Sequence, residues 1–256
     1  LLTPLERKVE LLGRLSPELR IVVEPFTLEL AQRTPRQFAE ALLAGELGAK
    51  LVVVGDNFAF GHARAGNAAS LAELGRELGF EARAQALIHD ASGVISSTRI
   101  RELASSGQVE AAEALLGRPH ALTGTVVVGE GVARKLGVPS ANLAAFPELL
   151  PARGVYAVLV DLLEGDRFRA LGLGVTNIGI RPTLGQGELR VEAHVLDLDR
   201  DLYGKTLRVH VVARLRDELR FPDITALKAQ LAADVVAARS TLGGRQPDPA
   251  AGGAWH

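Results

Sequence analysis

The chain has 256 residues, 47% of them hydrophobic and 23% charged, with a formal net charge of -1 at pH 7. That length carries two domains with cores of their own. The near-neutral balance, without a long basic run, does not indicate a nucleic-acid surface, and the absence of cysteine excludes disulfides and thiolate metal sites. No apolar run approaches the roughly 20 residues that span a bilayer, and no signal-peptide pattern occurs. These features lead to the expectation of a cytoplasmic protein with neither nucleic acid nor membrane as partner, its oligomeric state open. Methionine is absent even at position 1, and Leu1 opens inside what reads as folded sequence, so a natural start upstream of Leu1 is expected.

The first half alternates helix and strand. Leu5, Val9 and Leu12 recur at helical spacing. Ile21-Val22-Val23 predicts a short buried strand. Thr34-Pro35-Arg36-Gln37 has the chemistry of a helix start, with Thr as N-cap, Pro at the first helical position and Gln closing a capping box. That helix carries Phe38 and Leu42 and ends near Gly45. Leu51 to Val54 is continuously apolar, the pattern of a parallel strand covered on both faces. Ser70 to Gly79 predicts a helix with Leu71, Leu74 and Leu78 inward. The alternation predicts an open parallel α/β sheet, which binds ligands at the carboxyl ends of its strands.

One such end is Gly55 to Gly61, which carries Asp56, Asn57, Phe58 and Phe60. It reads either as a binding loop or as a loop whose rings cap the core. A second lies at Ile95 to Arg101. There Ser96, Ser97 and Thr98 precede a helix running to about Ser105. Free N–H groups and the positive dipole end favour an anion, with Arg99 as a clamp; the alternative is that Ser97 or Thr98 is simply an N-cap. A further helix, Gln108 to Leu116, stops at Gly117 with Pro119 beyond, which places a domain boundary between 1–117 and 118–242.

After residue 120 the pattern changes to strands. The run Leu122 to Val128 leads into Gly129 to Asn142, GEGVARKLGVPSAN. Gly129 and Gly131 let backbone N–H groups wrap an anion. Lys135 meets phosphate as a point charge. Ser140 and Asn142 offer oxygens suited to a hard cation or a phosphate. The stretch also reads as a plain turn. Tyr156 to Leu163, Leu171 to Ile178, Leu189 to Leu196 and Leu207 to Leu215 are strands of an antiparallel barrel or sandwich. Within the third, Leu189, Val191, Ala193 and Val195 share one face and Arg190, Glu192 and His194 the other. Glu192 so placed is either a general base or part of a solvated face. Asp223 caps a final helix carrying Leu227, Leu231, Val235 and Leu242. From Gly243 the Gly-, Pro- and Ala-rich composition predicts a disordered tail, 243–256, in which Trp255 and His256 carry no functional weight.

Laid end to end, these pieces resemble the bacterial bifunctional riboflavin kinase/FMN adenylyltransferase (FAD synthetase) family. In the second half the resemblance rests on GEGVARKLGVPSANL, PARGVYAV, VTNIGIRPTLG, VEAHVLDLDRDLYG and RLRDELRF. In the first half it rests on VGDNFAFG, ISSTRIREL and LLGRPHALTGTVV. It implies a nucleotidyltransferase-like open parallel sheet, then an antiparallel β-barrel with a C-terminal helix. The implied activity is ATP-dependent phosphorylation of riboflavin to FMN, with FMN adenylylation to FAD in the full-length form.

The resemblance also implies roles. PSAN is similar to the family's Pro-Thr-Ala-Asn, whose Thr and Asn hold Mg2+ and ATP phosphates; here Ser140 keeps the hydroxyl and Asn142 the amide. Glu192 matches the catalytic base. Asn177, Arg181, Pro182 and Thr183 match a loop near the substrates, and Arg216 and Phe221 a region flanking the flavin. Asn57 matches a flavin- and nucleotide-contacting position, and Ser97, Thr98 and Arg99 a triphosphate-binding motif. Val132 and Ala133 depart from the family's glycines in the flap. The family's His-x-Gly-His pair is missing, since the histidines stand at 62, 89, 120, 194, 210 and 256, so adenylyl transfer is in doubt for this chain. Two other readings stay open: a non-catalytic flavin-binding or regulatory protein that kept the fold, and an unrelated nucleotidyltransferase fused to a barrel. The second would lack the Glu192 strand and Gly154-Val155-Tyr156.

Overall fold

The computed structural model describes residues 1–128, 140–144, 146–180 and 189–255. In chain order the helices are α1 (Leu5–Leu15), α2 (Leu28–Gln32), α3 (Pro35–Phe38), α4 (Ala68–Leu78), α5 (Ser97–Ser105), α6 (Val109–Leu116) and α7 (Ile224–Leu242). The first-half strands are β1 (Leu51–Gly55), β2 (Ala59–Phe60), β3 (Gly66–Asn67), β4 (Glu81–Gln85), β5 (His89–Asp90) and β6 (Gly93–Val94). Those of the second half are β7 (His120–Val127), β8 (Ala141–Ala144), β9 (Gly154–Glu164), β10 (Arg167–Ile180), β11 (Leu189–Val195) and β12 (Thr206–Arg216). Contacts divide the chain into two compact units, Arg20–Ile95, and Leu1–Leu19 together with Ser96–His256.

The unit Arg20–Ile95 is built on β1 and β4, which pair in parallel from Leu51↔Glu81 to Gly55↔Gln85. The capping box at Thr34 is present, its hydroxyl accepting from Gln37 N while the Gln37 side chain accepts from Thr34 N. The helix it starts widens into a π-helical segment, Ala39–Glu46. Ala39, Phe60, Leu71 and Phe80 form the buried core, with Val52 and Val54 against them. Two expectations are corrected. Leu51 and Val53 are exposed, so β1 is covered on one face only. Ile21-Val22-Val23 forms no strand, and Val22 and Val23 are exposed. A strand needs a ladder partner for its N–H and C=O groups, and among the described residues none lies beside this segment.

In the other unit, strands β10-β11-β8-β7-β12-β9 close into a six-stranded antiparallel barrel. Period-two alternation decides which side chains fill it. Val191, Ala193 and Val195 of β11 point inward with Val158 and Val160 of β9 and Val209 and Val211 of β12. The opposite faces of β9, β10 and β12 present Ala157 and Leu159, Val175, and Val212, which pack under Ala238 and Leu242 of α7. Asp223 caps α7, its Oδ1 accepting from Ala226 N at 2.8 Å. Helix α1 forms as its spacing predicts, but Leu5, Val9 and Leu12 are exposed. Its buried residue is Arg7, which joins Glu10, itself bonded to Arg208 of β12 at 2.8 Å.

The tail is also a correction. Residues 243–255 fold back onto the barrel, and Trp255 is 5% exposed. Its backbone N–H donates to Asp161 Oδ1 (2.9 Å) and its indole N–H to the Val160 carbonyl (3.1 Å). The other Asp161 oxygen accepts from His210 Nε2 at 2.9 Å. Composition favours disorder, but one large aromatic ring with a buried carboxylate to cap supplies what the Gly and Pro residues lack. His256 lies outside the described residues.

Candidate active site

Alternation turns Glu192 outward on β11, and the barrel's register gives it neighbours. Glu192 is directly opposite Asn142 on β8 and, on its other side, opposite Asn177 on β10. Asn177 is opposite Val155 on β9, and Val155 is opposite Arg216 on β12. Directly opposed residues share a face and stand about 5 Å apart. The row Asn142, Glu192, Asn177, Val155, Arg216 therefore runs across the outer surface of the barrel. Thr176, between the two outward residues of β10, donates its hydroxyl to the Glu192 carbonyl at 3.0 Å and ties the strands together at that point.

Four members of the row, Glu192, Asn177, Val155 and Arg216, floor a cavity of about 250 Å³. Its opposite wall is α7, through Leu227, Leu231, Asp234 and Val235, with Glu218, Leu219 and Phe221 from the connecting segment; Ser140, Val175 and His194 complete it. Ser140, Asn177, Glu192, Arg216 and Phe221, all singled out in the sequence, thus line one cavity. Glu218 closes against Gly179, where a side chain would collide with its carboxylate. A second cavity of about 300 Å³ adjoins, lined by Ser140, Asn142, Ala193, Val195, Leu198 and the segment 199–203. Ser140 borders both.

Asn142 Oδ1 is buried and has no hydrogen-bond partner among the described residues. Such a group costs about 1–3 kcal/mol unless something satisfies it. A neutral carbonyl oxygen and the hydroxyl of Ser140, which lines the same second cavity, are a donor set that Mg2+ accepts, because that ion keeps several waters and takes its remaining ligands from substrate phosphates. Among the described residues no group of three or more His, Cys, Asp or Glu side chains is placed to hold a metal by itself.

The other sequence candidates fall elsewhere. Gly129, Gly131 and Lys135, and Arg181 with Thr183, lie outside the described residues. Ser97 and Thr98 are exposed at the start of α5, and the N-cap is their neighbour Ser96, whose hydroxyl accepts from Arg99 N at 3.3 Å. That replaces the reading in which Ser97 or Thr98 was the cap and leaves both hydroxyls at the helix start. Asn57, in the unit Arg20–Ile95, is exposed after β1, while Phe58 stacks on buried Phe60 with centroids 5.4 Å apart. The rings of that loop do cap the core.

A β-barrel with an outward polar row, a roofing helix and a second cavity meeting the first at a hydroxyl offers two adjoining sites, and the family models that the chain matches make it a transferase of the flavokinase class. The family model described as "Riboflavin kinase" matches residues 116–242, and that described as "FAD synthetase" matches residues 1–99. The chain is 35% identical over 252 residues to the bifunctional riboflavin kinase/FMN adenylyltransferase of Escherichia coli (strain K12), covering 96% of this chain and 77% of the relative. It is 37% identical over 222 residues to the enzyme of the same name from Pseudomonas fluorescens, covering 86% and 70%. The structure described as "Crystal Structure of Macrolide-efflux Protein from Streptococcus pneumoniae" superposes with a TM-score of 0.73 at 31% identity, covering 84% of this chain and 67% of that one. Among the described residues no helix is long and apolar enough to cross a membrane. The chain belongs to the bifunctional riboflavin kinase/FMN adenylyltransferase family, whose work is flavin cofactor synthesis.

Proposed function

We propose that the barrel, within residues 118–242, phosphorylates riboflavin with MgATP to give FMN and ADP, and that residues 1–117 belong to the adenylyltransferase half of the same enzyme. The observation that carries this is the row Asn142, Glu192, Asn177 on adjacent strands beside a cavity with an apolar far wall. A flat, mostly apolar ring system suits Val155, Val175, Leu227, Leu231 and Val235, and a hydroxylated chain suits the polar row. The Glu192 carboxylate takes the proton of the terminal hydroxyl as its oxygen bonds to the γ-phosphorus. The bond from that phosphorus to the β,γ-bridging oxygen breaks, and ADP leaves. Base catalysis of this kind contributes about 10²–10⁴-fold.

The nucleotide occupies the second cavity, so its γ-phosphate comes to the junction marked by Ser140. Ser140 and Asn142 would hold Mg2+, which neutralises phosphate charge when bound. Gly129, Gly131 and Lys135 are assigned to the phosphates, and Arg181 and Thr183 to the substrates, on family resemblance. Ser97, Thr98 and Arg99 are assigned to a triphosphate and Asn57 to flavin and nucleotide contacts on the same ground. Incubating the full chain with riboflavin and MgATP and separating the flavins by chromatography tests the proposal. FMN formed in step with ADP supports it. A folded sample that binds riboflavin without turnover favours the non-catalytic flavin-binding reading.

A further inference from the structure

Arg216 closes the row at the end far from Glu192, and its hydrogen bonds are unusual for a residue expected to meet a ligand. Nε donates to one carboxylate oxygen of Asp234 at 2.8 Å and a terminal nitrogen to the other at 2.7 Å. The second terminal nitrogen donates to the Asp217 carbonyl at 2.8 Å. Asp234, on α7, is 3% exposed, and its Oδ1 also accepts from Gln230 Nε2 at 2.9 Å. The guanidinium carbon lies 5.9 Å from the centroid of Phe221, which lines the same cavity.

All three guanidinium nitrogens are thus engaged by the protein, and the positive charge is neutralised by Asp234. What remains for the cavity is the flat face of the group and the two N–H donors not used in these bonds. A guanidinium presents that face to aromatic planes. A buried ion pair is a poor way simply to hold a helix down, since apolar residues of similar volume do it as well or better. A bidentate fork does what an apolar contact does not: it fixes a plane.

We infer that Asp234 is a positioning residue that locks the Arg216 guanidinium plane as a stacking wall for the flat ring of the flavin, and so sets which way the substrate lies. The inference rests on the reading that this cavity takes riboflavin. From Arg216 to Glu192 is three strand spacings, roughly 15 Å along the sheet. The ring therefore lies at the Arg216 and Phe221 end, and the hydroxylated chain runs past Asn177 so that its terminal hydroxyl reaches Glu192. Asp234 touches neither substrate and acts through Arg216.

The test uses the full chain with Asp234→Asn, Arg216→Lys and the double variant. Asp234→Asn keeps the shape and removes the charge; Arg216→Lys keeps the charge and removes the fork. Riboflavin affinity is read without turnover, from quenching of flavin fluorescence on titration with protein, and KM for each substrate is read from FMN formation. Each single variant should weaken riboflavin binding about tenfold and raise KM for riboflavin by a like factor, with KM for MgATP within about twofold of wild type. The double variant should be no worse than the poorer single, because the two residues act as one unit. Unchanged riboflavin affinity in both single variants, additive losses, or riboflavin and MgATP constants that rise together would overturn the inference. Arg216→Lys carries the test if Asp234→Asn does not fold. Wild-type protein that binds riboflavin but forms no FMN would refute the kinase reading and leave the positioning role to be judged by the titration. Wild-type protein that binds no riboflavin would overturn both.

Discussion

Replacing Trp255 with Ala removes the chain's one tryptophan from the cluster that seats α7 on the barrel. Its ring packs with Leu159, Ala238 and Leu242, and its indole N–H is satisfied by the Val160 carbonyl. Truncating a buried Trp costs about 3–5 kcal/mol, with the lost hydrogen bond inside that figure. The loss is capped by the docking free energy of 243–255 as a whole. The expected value is therefore near the low end, about 3 kcal/mol. Trp255→Phe keeps one aromatic ring but loses the N–H and part of the buried area, for about 1–2 kcal/mol. Ending the chain at Gly243 should cost only about 1 kcal/mol more than Trp255→Ala, because it also strips the Asp161 carboxylate of a backbone donor. Urea denaturation followed by far-UV circular dichroism reads all of these, since Trp255→Ala leaves no tryptophan emission to follow. A Trp255→Ala midpoint equal to wild type would refute the docked tail.

Acidification should destabilise the barrel unit before ordinary carboxylates titrate. Burial pushes the His210 imidazole below its usual value, with Asp161 pulling part of the way back, and burial likewise lowers His120, whose Nε2–H donates to the Leu149 carbonyl. Both folded values lie under the unfolded value of about 6.5, so the unfolded chain binds more protons below that pH; the stability is fully present above about pH 6.5 and is lost as pH falls, by at most about 1.4 kcal/mol per unit for each histidine. Denaturation midpoints that stay flat between about pH 7.5 and pH 5.5 would contradict this. Ser140→Ala should raise the Mg2+ and ATP concentrations needed for half-maximal FMN formation, while Ser140→Thr should not; equal behaviour in a MgATP titration would remove Ser140 from the ligand set. The 256-residue chain, which contains no His-x-Gly-His, should form no FAD from FMN and MgATP. Robust FAD and pyrophosphate release would show that those histidines are dispensable.

Much of the site was legible because β-strand alternation is local. The sequence 189–195 alone turns Glu192 away from Val191 and Ala193, and the barrel keeps that arrangement. The Thr34 capping box and the Asp223 cap were legible for the same reason, each closing within three residues. Strand β8 was not, because Ala141–Ala144 is short and carries Asn142, and its strand character comes from β7 and β11 on either side. Asp234 reads as one acid in an apolar stripe until Arg216, 18 positions earlier, is seen across from it. Trp255 depends on Asp161, 94 residues away, and no window of sequence holds both. Arg7 was invisible to an apolar count, since its buried charge is paired by Glu10, which also bonds Arg208, rather than covered for its hydrophobicity. Ile21-Val22-Val23 failed in the opposite sense: its composition is that of a strand, but pairing requires a neighbour.

The central claim is that Glu192 removes the proton of the flavin hydroxyl on the outer face of the barrel. Steady-state FMN formation by wild type and Glu192→Gln at saturating riboflavin and MgATP addresses it most directly. For Glu192→Gln, kcat should fall by about a hundredfold or more while KM for both substrates stays within a few-fold. A folded Glu192→Gln variant with an unchanged kcat would place the base elsewhere.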